Sequence, residues 1–200
     1  MYFFGEYHVL AVFLDTETNG LDHTIHNILE IAFEIVDLSN GKVLESYEHL
    51  IKLSEEDWVK SNLYSLSFNG ITKEKMLTGS PESVVAKEIK NIFSRYSIVK
   101  GKAVFICQNP SFDRIFFSKL INTTYQEENQ YPYHWLDLAS MHFAKSILQG
   151  IKPDQITLSK DQIASYYGLE KEARPHRALA GVQNLITCYK HVLGFPENLF

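Results

Sequence analysis

Two acidic residues, Asp15 and Glu17, stand two positions apart at the end of an apolar run. Side chains two apart in an extended chain point to the same face, so the two carboxylates converge on one small volume. Like charges at that distance repel each other unless a hard divalent cation such as Mg²⁺ lies between them. The pair therefore indicates metal binding, although a turn-forming Asp15 beside a solvated Glu17 would by itself explain so short a motif.

A third carboxylate, Asp113, closes the segment Asn109-Pro110-Ser111-Phe112-Asp113. This segment follows a predicted strand and opens a predicted helix, where the helix dipole favours an anion. The position suits a further metal ligand, and it suits a helix-capping charge without any metal equally well.

His176 lies between Arg174 and Arg177 in a turn restrained by Pro175. Cationic neighbours disfavour the imidazolium, so we expect a ring that is neutral near pH 7. A general base requires a neutral imidazole, and the two arginines could reach phosphate groups. A surface histidine in a basic turn is the simpler alternative.

Apolar periodicity predicts the strands that position these groups. Residues 9–14 form a run typical of a central strand that is buried on both faces and ends at Asp15. Residues 28–36, the turn signal Ser39-Asn40-Gly41 and the alternating residues 42–52 follow it. Together they predict three strands in hairpin succession.

Helical spacing dominates the rest of the chain. Ser80-Pro81 predicts the N-cap and first-turn proline of a helix whose buried stripe reaches Tyr96. The polar residues 123–133 are typical of a mobile loop. A strand is predicted at residues 102–107, and helices are predicted at residues 112–121, 138–148, 159–167 and 177–192. This order favours an α/β fold, a mixed sheet flanked by helices in a single domain.

The composition is that of a folded protein. The chain has 200 residues, of which 45% are hydrophobic and 22% are charged. Its 24 acidic and 19 basic residues give a formal net charge of −5, which disfavours broad binding of duplex DNA and leaves local nucleic-acid contacts. Residues 90–119 are locally basic and could flank a phosphate path or form a solvated face.

The two cysteines, Cys107 and Cys188, lie far apart and show no zinc-binding spacing. They are typical of a reduced protein, and we expect a cytoplasmic location. Residues 1–14 carry Glu6 and His8, have no basic start and lack a cleavage site, so neither a signal peptide nor a membrane span fits. We expect no membrane partner.

Four motifs occur in a fixed order: Asp15-Thr16-Glu17-Thr18-Asn19-Gly20-Leu21, Phe68-Asn69-Gly70-Ile71-Thr72, Asn109-Pro110-Ser111-Phe112-Asp113 and His176-Arg177-Ala178-Leu179-Ala180. This set resembles the DnaQ-like (DEDDh) class of 3′-to-5′ exonucleases, from about residue 9 to residue 191. Leu136-Asp137-Leu138 looks like one of the family's later helical segments. The resemblance implies a ribonuclease H-like sheet in one domain, residues 1–200, with its core at about residues 9–192.

The resemblance also implies hydrolysis of terminal phosphodiesters at the 3′ ends of single-stranded DNA or RNA, with two divalent metal ions, Mg²⁺ or Mn²⁺. In that family pattern Asp15 bridges both ions, Glu17 helps to hold the ion that activates water, and Asp113 supports the other ion. His176 would remove the proton from the attacking water. The implied substrate-binding residues are Thr16, Thr18, Leu21, Asn109 and Arg177.

The chain departs from the family pattern at Gly181, where a final metal-binding aspartate is expected. The loss of that ligand predicts weaker metal binding. A glycine inside a helix costs about 1 kcal/mol relative to alanine, so it could mark a kink or a close approach. The residues that the fold could bring in as replacements are Asp161, Glu170, Glu172 and Asn184.

Two functions follow from this mixture. The retained Asp15, Glu17, Asp113 and His176 favour a metal-dependent 3′-to-5′ exonuclease whose activity is impaired. Gly181 instead favours a catalytically silent module that binds nucleic-acid ends or a polymerase or repair partner. A homodimer is compatible with either function.

Overall fold

Six strands form one sheet in the computed structural model, which describes residues 9–196. The remaining residues of the predicted domain, 1–8 and 197–200, lie outside the described part. The strands are β1 (Leu10–Thr18), β2 (Ile28–Asp37), β3 (Val43–Lys52), β4 (Ser80–Pro81), β5 (Ala103–Cys107) and β6 (Trp135–Asp137). Their order across the sheet is β4-β3-β2-β1-β5-β6.

The pairing of β1, β2 and β3 confirms the predicted hairpin series, since each pairs antiparallel with the next. On the other side of β1, β5 and then β6 pair in parallel, which makes the sheet mixed. β1 is longer than predicted, because its pairing with β2 continues to Thr18. Asp15 and Glu17 therefore lie within the strand, opposite Ala32 and Glu30, rather than after its end.

The helices cover both faces of this sheet. They are α1 (Glu55–Trp58), α2 (Leu63–Asn69), α3 (Lys73–Met76), α4 (Glu82–Arg95), α5 (Pro110–Leu120), α6 (Thr123–Glu128), α7 (Leu138–Leu148), α8 (Lys160–Tyr166) and α9 (Ala178–Val192), with a 3₁₀ turn at Pro153–Gln155. Five of them, α4, α5, α7, α8 and α9, confirm predicted helices. The short α1, α2 and α3 escaped prediction because each begins at a polar cap, Ser54, Asn62 or Thr72, and has no long apolar stripe.

Two predictions about element boundaries are wrong. The predicted start of α4 is one residue early, because Ser80 and Pro81 pair in parallel with the end of β3 and Pro81 is the N-cap residue of α4, which starts at Glu82. Leu136 and Asp137 belong to β6 rather than to a helix, because they pair with β5.

The segment predicted as a mobile loop, residues 123–133, contains α6. The side chain of Asn122 accepts a hydrogen bond from the Tyr125 backbone N–H over 2.8 Å and so caps this helix. Tyr131 is 7% exposed, and its ring packs 5.4 Å from that of Phe93. The polar composition of the segment gave no sign of the Asn122 cap or of the buried Tyr131.

Alternate residues of β1 contribute to two apolar cores, one on each face of the sheet. Val12 and Leu14 belong to the core that α4 and α5 cover, and Ala11 and Phe13 belong to the core beneath α9. Both faces are therefore closed, as expected for a single α/β domain of ribonuclease H-like architecture. Among residues 9–196 none of the helices has the length and apolar character needed to cross a membrane.

Candidate active site

The predicted metal ligands come together where β1 meets α5 and α9. Asp15 and Glu17 project from β1, and Asp113 lies in the first turn of α5, 3% exposed. The Thr16 hydroxyl donates a 2.8 Å hydrogen bond to Oδ1 of Asp113 and ties the helix to the strand. Two parts of the chain that are 97 positions apart therefore place carboxylates in one region.

Burial of these carboxylates makes their negative charge costly. Desolvation raises the pKa of Asp15 above its usual range, although Lys160 opposes the shift. Burial, with repulsion from Asp15, raises the pKa of Glu17 to about 8. The same two causes raise the pKa of Asp113 well above its usual range. A cluster of this kind calls for cations.

His176 is held against α2 and a second acid. Its backbone N–H donates to the carbonyl oxygen of Phe68 over 3.0 Å, and the two rings lie 4.9 Å apart. Nδ1 of His176 lies 3.2 Å from Oε1 of Glu172. Nε2 is buried and has no hydrogen-bond partner within the described residues. An anion, rather than the two arginines expected from the sequence, is therefore the charged neighbour of the ring.

Glu172, which the sequence placed only among several replacements for the missing aspartate, joins the candidate site in the structure. Its side chain is 1% exposed. One ligand atom each from Glu17, Glu172 and His176 lie within 4.8 Å of one another. Carboxylate oxygens and an imidazole suit a small divalent ion such as Mg²⁺ or Mn²⁺, so the residues fit the metal that the resemblance implies.

The other replacements lie elsewhere. The side-chain amide of Asn184 donates to the Glu170 backbone carbonyl over 3.1 Å, and Oδ1 of Asp161 accepts the backbone N–H of Glu172 over 3.3 Å. Asp161 therefore helps to hold the Glu172 segment in place rather than joining the group that contains Glu17.

Gly181 marks a close approach, one of the two possibilities that the sequence offered. A Cβ atom at Gly181 would lie 1.7 Å from Oδ2 of Asp15 and 3.1 Å from Nζ of Lys160. The Lys160 ammonium lies 2.7 Å from Oε2 of Glu172, 3.5 Å from Oδ2 of Asp15 and 3.4 Å from the Gly181 carbonyl oxygen. Burial lowers the pKa of Lys160, but Asp15 and Glu172 more than offset this and raise it.

A cavity of about 240 Å³ opens beside Glu17. Three of the predicted substrate-binding residues, Thr16, Thr18 and Leu21, line it. The aromatic rings of Tyr64, Phe68 and Phe112 and the side chains of Ser65 and Asn69 complete the lining. Phe68 and Phe112 stand inside the quoted motifs, so the sequence contained a signal for them, whereas Tyr64 and Ser65 carried none.

The other two predicted substrate-binding residues make contacts within the chain. Asn109 adopts a left-handed conformation with φ 57° before α5, and its backbone N–H donates to Oδ1 of Asp137 over 3.0 Å. Nε of Arg177 donates to Oε2 of Glu30 over 2.8 Å, and a second nitrogen of Arg177 also contacts Glu30. Substrate binding by Asn109 and Arg177 therefore stays a prediction.

The locally basic stretch is divided between internal contacts and a second cavity. Nζ of Lys119 donates to the backbone carbonyls of His23 and His26 over 2.8 and 2.5 Å. Lys100 and Arg114 line a cavity of about 290 Å³ together with Trp135. A phosphate path along this stretch stays a prediction.

Comparisons with known proteins identify the family of this chain. Residues 12–189 match the family model RNase_T, described as exonuclease. Exonuclease DPD1, chloroplastic/mitochondrial, of Arabidopsis thaliana is 26% identical over 174 residues, which cover 84% of this chain and 51% of that protein. The PolC-type DNA polymerase III of Thermotoga maritima is 29% identical over 168 residues, which cover 84% of this chain and 11% of the polymerase. The chain thus spans about half of the first relative and a small part of the second.

Solved structures share the fold. Exonuclease I of E. coli in complex with a dT13 oligonucleotide has a TM-score of 0.69 and 18% identity, covering 96% of this chain and 42% of that one. Cell-death related nuclease 4 has a TM-score of 0.72 and 18% identity, covering 95% and 66% of the two chains. The DnaQ-like fold expected from the motifs is confirmed. Because the family model spans residues 12–189, the chain belongs to the RNase_T exonuclease family.

Proposed function

We propose that this protein is a metal-dependent 3′-to-5′ exonuclease that removes nucleotides from single-stranded ends. The observation that carries the proposal is the meeting of Glu17, Glu172 and His176 within 4.8 Å, next to Asp15 and beside an aromatic cavity. These residues come from β1 and from the segment before α9, so the fold has assembled them from distant positions.

The side chains of Glu17 and Glu172 would hold a divalent ion, Mg²⁺ or Mn²⁺, and the family resemblance implies that Asp15 and Asp113 would contribute further carboxylates. Bound ions would supply the charge that activates water and stabilises the leaving oxygen. Nδ1 of His176 faces Glu172, which favours the tautomer with its proton on Nδ1. The free Nε2 can then accept the proton of the water that attacks the terminal phosphodiester, while the bond to the preceding 3′ oxygen breaks.

The cavity supports a single-stranded substrate. Its volume of about 240 Å³ and its rings, Tyr64, Phe68 and Phe112, suit stacking of an unpaired terminal base. Thr16 and Thr18 line the same wall. Their hydroxyl protons are donated to Asp113 and to the Gly20 carbonyl oxygen, so each hydroxyl could meet a nucleotide only as an acceptor. Both DNA and RNA ends fit this chemistry, so the substrate is proposed as either.

Cleavage of labelled oligonucleotides tests the proposal. Single-stranded DNA and RNA carrying 3′ or 5′ labels are incubated with the protein and Mg²⁺ or Mn²⁺, with and without EDTA. We expect stepwise loss from the 3′ end that EDTA abolishes. His176→Gln should lower the rate roughly 10²- to 10⁴-fold because the general base is removed, and Asp113→Asn should remove activity through the metal site. Asp154→Asn, at an exposed aspartate in the 3₁₀ turn, is the matched control.

The outcomes separate the two functions. Release from the 5′ end, or cleavage that neither EDTA nor Asp113→Asn affects, contradicts the proposed site. Tight binding of labelled ends without cleavage would favour the silent binding module. The similarity to a segment of bacterial polymerases supports a polymerase or repair partner as a further proposal, and a homodimer and a cytoplasmic location stay predictions.

A further inference from the structure

We propose that Lys160 is a resident cation of the candidate active site. In this inference, which rests on the proposed function, its ammonium takes the place of one of two divalent ions beside Asp15. Each chain then binds one divalent ion rather than two. In this arrangement Gly181 replaces the expected aspartate ligand, and the Lys160 ammonium replaces the ion that this aspartate would bind.

Gly181 creates the space that the substitute occupies. The position of its absent Cβ lies 1.7 Å from Oδ2 of Asp15, well inside the contact distance of two atoms. Any side chain at position 181 would therefore displace the Asp15 carboxylate. The helix is otherwise regular there, since the Gly181 backbone N–H donates to the Arg177 carbonyl over 2.9 Å. The glycine leaves room for the side-chain ends of Asp15 and Lys160 and does not mark a break in α9.

The surroundings of Lys160 match an ammonium group. Its Nζ has three oxygen neighbours, from Glu172, Asp15 and the Gly181 carbonyl, at 2.7, 3.5 and 3.4 Å. Glu172 forms an ion pair with this ammonium, and the contacts with Asp15 and the Gly181 carbonyl are long hydrogen bonds. The Lys160 side chain is 13% exposed and that of Glu172 is 1% exposed, so neither is a mobile surface group. A buried lysine with two acidic neighbours is an integral part of the site.

The ammonium competes directly with a second divalent ion. The family resemblance implies that Asp15 would help to hold both ions. Here Oδ2 of Asp15 faces the Lys160 ammonium, and Oε2 of Glu172 faces it as well. A divalent ion at those oxygens would lie beside a positive charge in a buried setting, where repulsion is strong. The remaining ion would lie beside Glu17, where ligand atoms of Glu17, Glu172 and His176 lie within 4.8 Å of one another.

Titration with Mn²⁺ alone tests this inference without relying on cleavage. Isothermal calorimetry should give one Mn²⁺ per wild-type chain, and electron paramagnetic resonance should show isolated ions. Lys160→Met should admit a second Mn²⁺ and produce the spin coupling of a close pair, because Asp15 and Glu172 are released. Lys160→Arg, which keeps the positive charge, is the matched control and should still bind one ion.

Removal of the lysine leaves two buried acids and could prevent folding, so a second variant is needed. Lys160→Met combined with Glu172→Gln removes the ion pair as a unit and still frees Oδ2 of Asp15. This variant should fold cooperatively by circular dichroism and should also take up a second, weaker Mn²⁺.

The inference would be overturned if the wild-type chain bound two Mn²⁺ and if Lys160→Met and Lys160→Arg bound the same number. If such a chain still trims 3′ ends, the proposed function stands and only the role of Lys160 fails. If the wild-type chain binds no Mn²⁺ and cleaves nothing, both proposals fail.

Discussion

For the single residue Gly181, the sequence and the structure lead to opposite expectations about the effect of an aspartate at this position. From the sequence, an aspartate at this position would complete the family's metal site. In the structure, the same substitution brings a side chain onto the Asp15 carboxylate, because a Cβ already lies 1.7 Å from Oδ2. Instead of a further acidic ligand near Asp15, the structure has Gly181, with the Lys160–Glu172 ion pair in the neighbouring space.

Gly181→Ala and Gly181→Asp are accordingly expected to damage the site. In an unobstructed helix alanine would stabilise by about 1 kcal/mol, but here the clash with Asp15 should destabilise by about 1–3 kcal/mol. Chemical denaturation measures this loss, and Mn²⁺-dependent cleavage should fall in both variants. Gln183→Ala, at an exposed position of α9, serves as the control and should change neither quantity. A gain of activity in Gly181→Asp would show that the carboxylate is simply missing.

At the level of elements, α9 depends on β2 for its N-terminus. Arg177 offers no side-chain cap to the helix. Instead, Oε2 of Glu30, a fully buried residue of β2, accepts the Ala178 backbone N–H over 3.0 Å and the Nε of Arg177 over 2.8 Å. The arginine balances a buried charge, and the pair fixes the start of the helix next to His176.

Arg177→Met tests whether this arginine is structural. It leaves the Glu30 carboxylate buried without its cation, so the free energy of unfolding should fall by about 3–5 kcal/mol. Adding Glu30→Gln removes the unbalanced charge and keeps an acceptor for Ala178, so the double variant should be more stable than Arg177→Met alone. Denaturant unfolding of the wild type, Arg177→Met, Glu30→Gln and the double variant gives the coupling free energy between the two side chains. Unchanged stability with weakened oligonucleotide binding would instead assign Arg177 to the phosphate contact that the motifs imply.

For the molecule as a whole, the reactivity of the two cysteine thiols can show whether each of the two apolar cores is folded. Cys107 lies in the core under α4 and α5, and Cys188 in the core under α9, each 0% exposed and free. Burial raises the pKa of the Cys188 thiol to about 11 and that of Cys107 well above its usual range. Both groups are therefore protonated and shielded at pH 8, where the reactive thiolate is scarce.

We expect the native protein to react slowly with Ellman's reagent at pH 8. In guanidinium chloride two thiols per chain should react at once, since unfolding exposes both and restores their ordinary pKa. Partial denaturation that released one thiol before the other would show that the two faces of the sheet unfold separately. Rapid reaction of the native protein would contradict the packing of that cysteine's core.

Features that depend on neighbouring residues could be predicted from the amino-acid sequence. The hairpin series from β1 to β3 and five helices follow from local apolar periodicity, which a linear pattern records directly. Asp15, Glu17, Asp113 and His176 are predicted site residues because the order of their motifs along the chain resembles that of a known family. The fold and the family both followed from these local signals, and the structure and the family match confirm them.

The balance of buried charges depends on contacts between distant segments and could not be predicted from the sequence. Lys160 meets Asp15 across 145 positions of sequence, and Arg177 meets Glu30 across 147. As single residues, a lysine at the start of a helix and an arginine in a turn are indistinguishable from solvated surface charges. The free energy of a buried charge depends on every group packed around it. Packing between distant segments therefore places Lys160 and Glu172 beside Asp15. It also brings the Asp15 carboxylate so close to Gly181 that a side chain there would have to displace it.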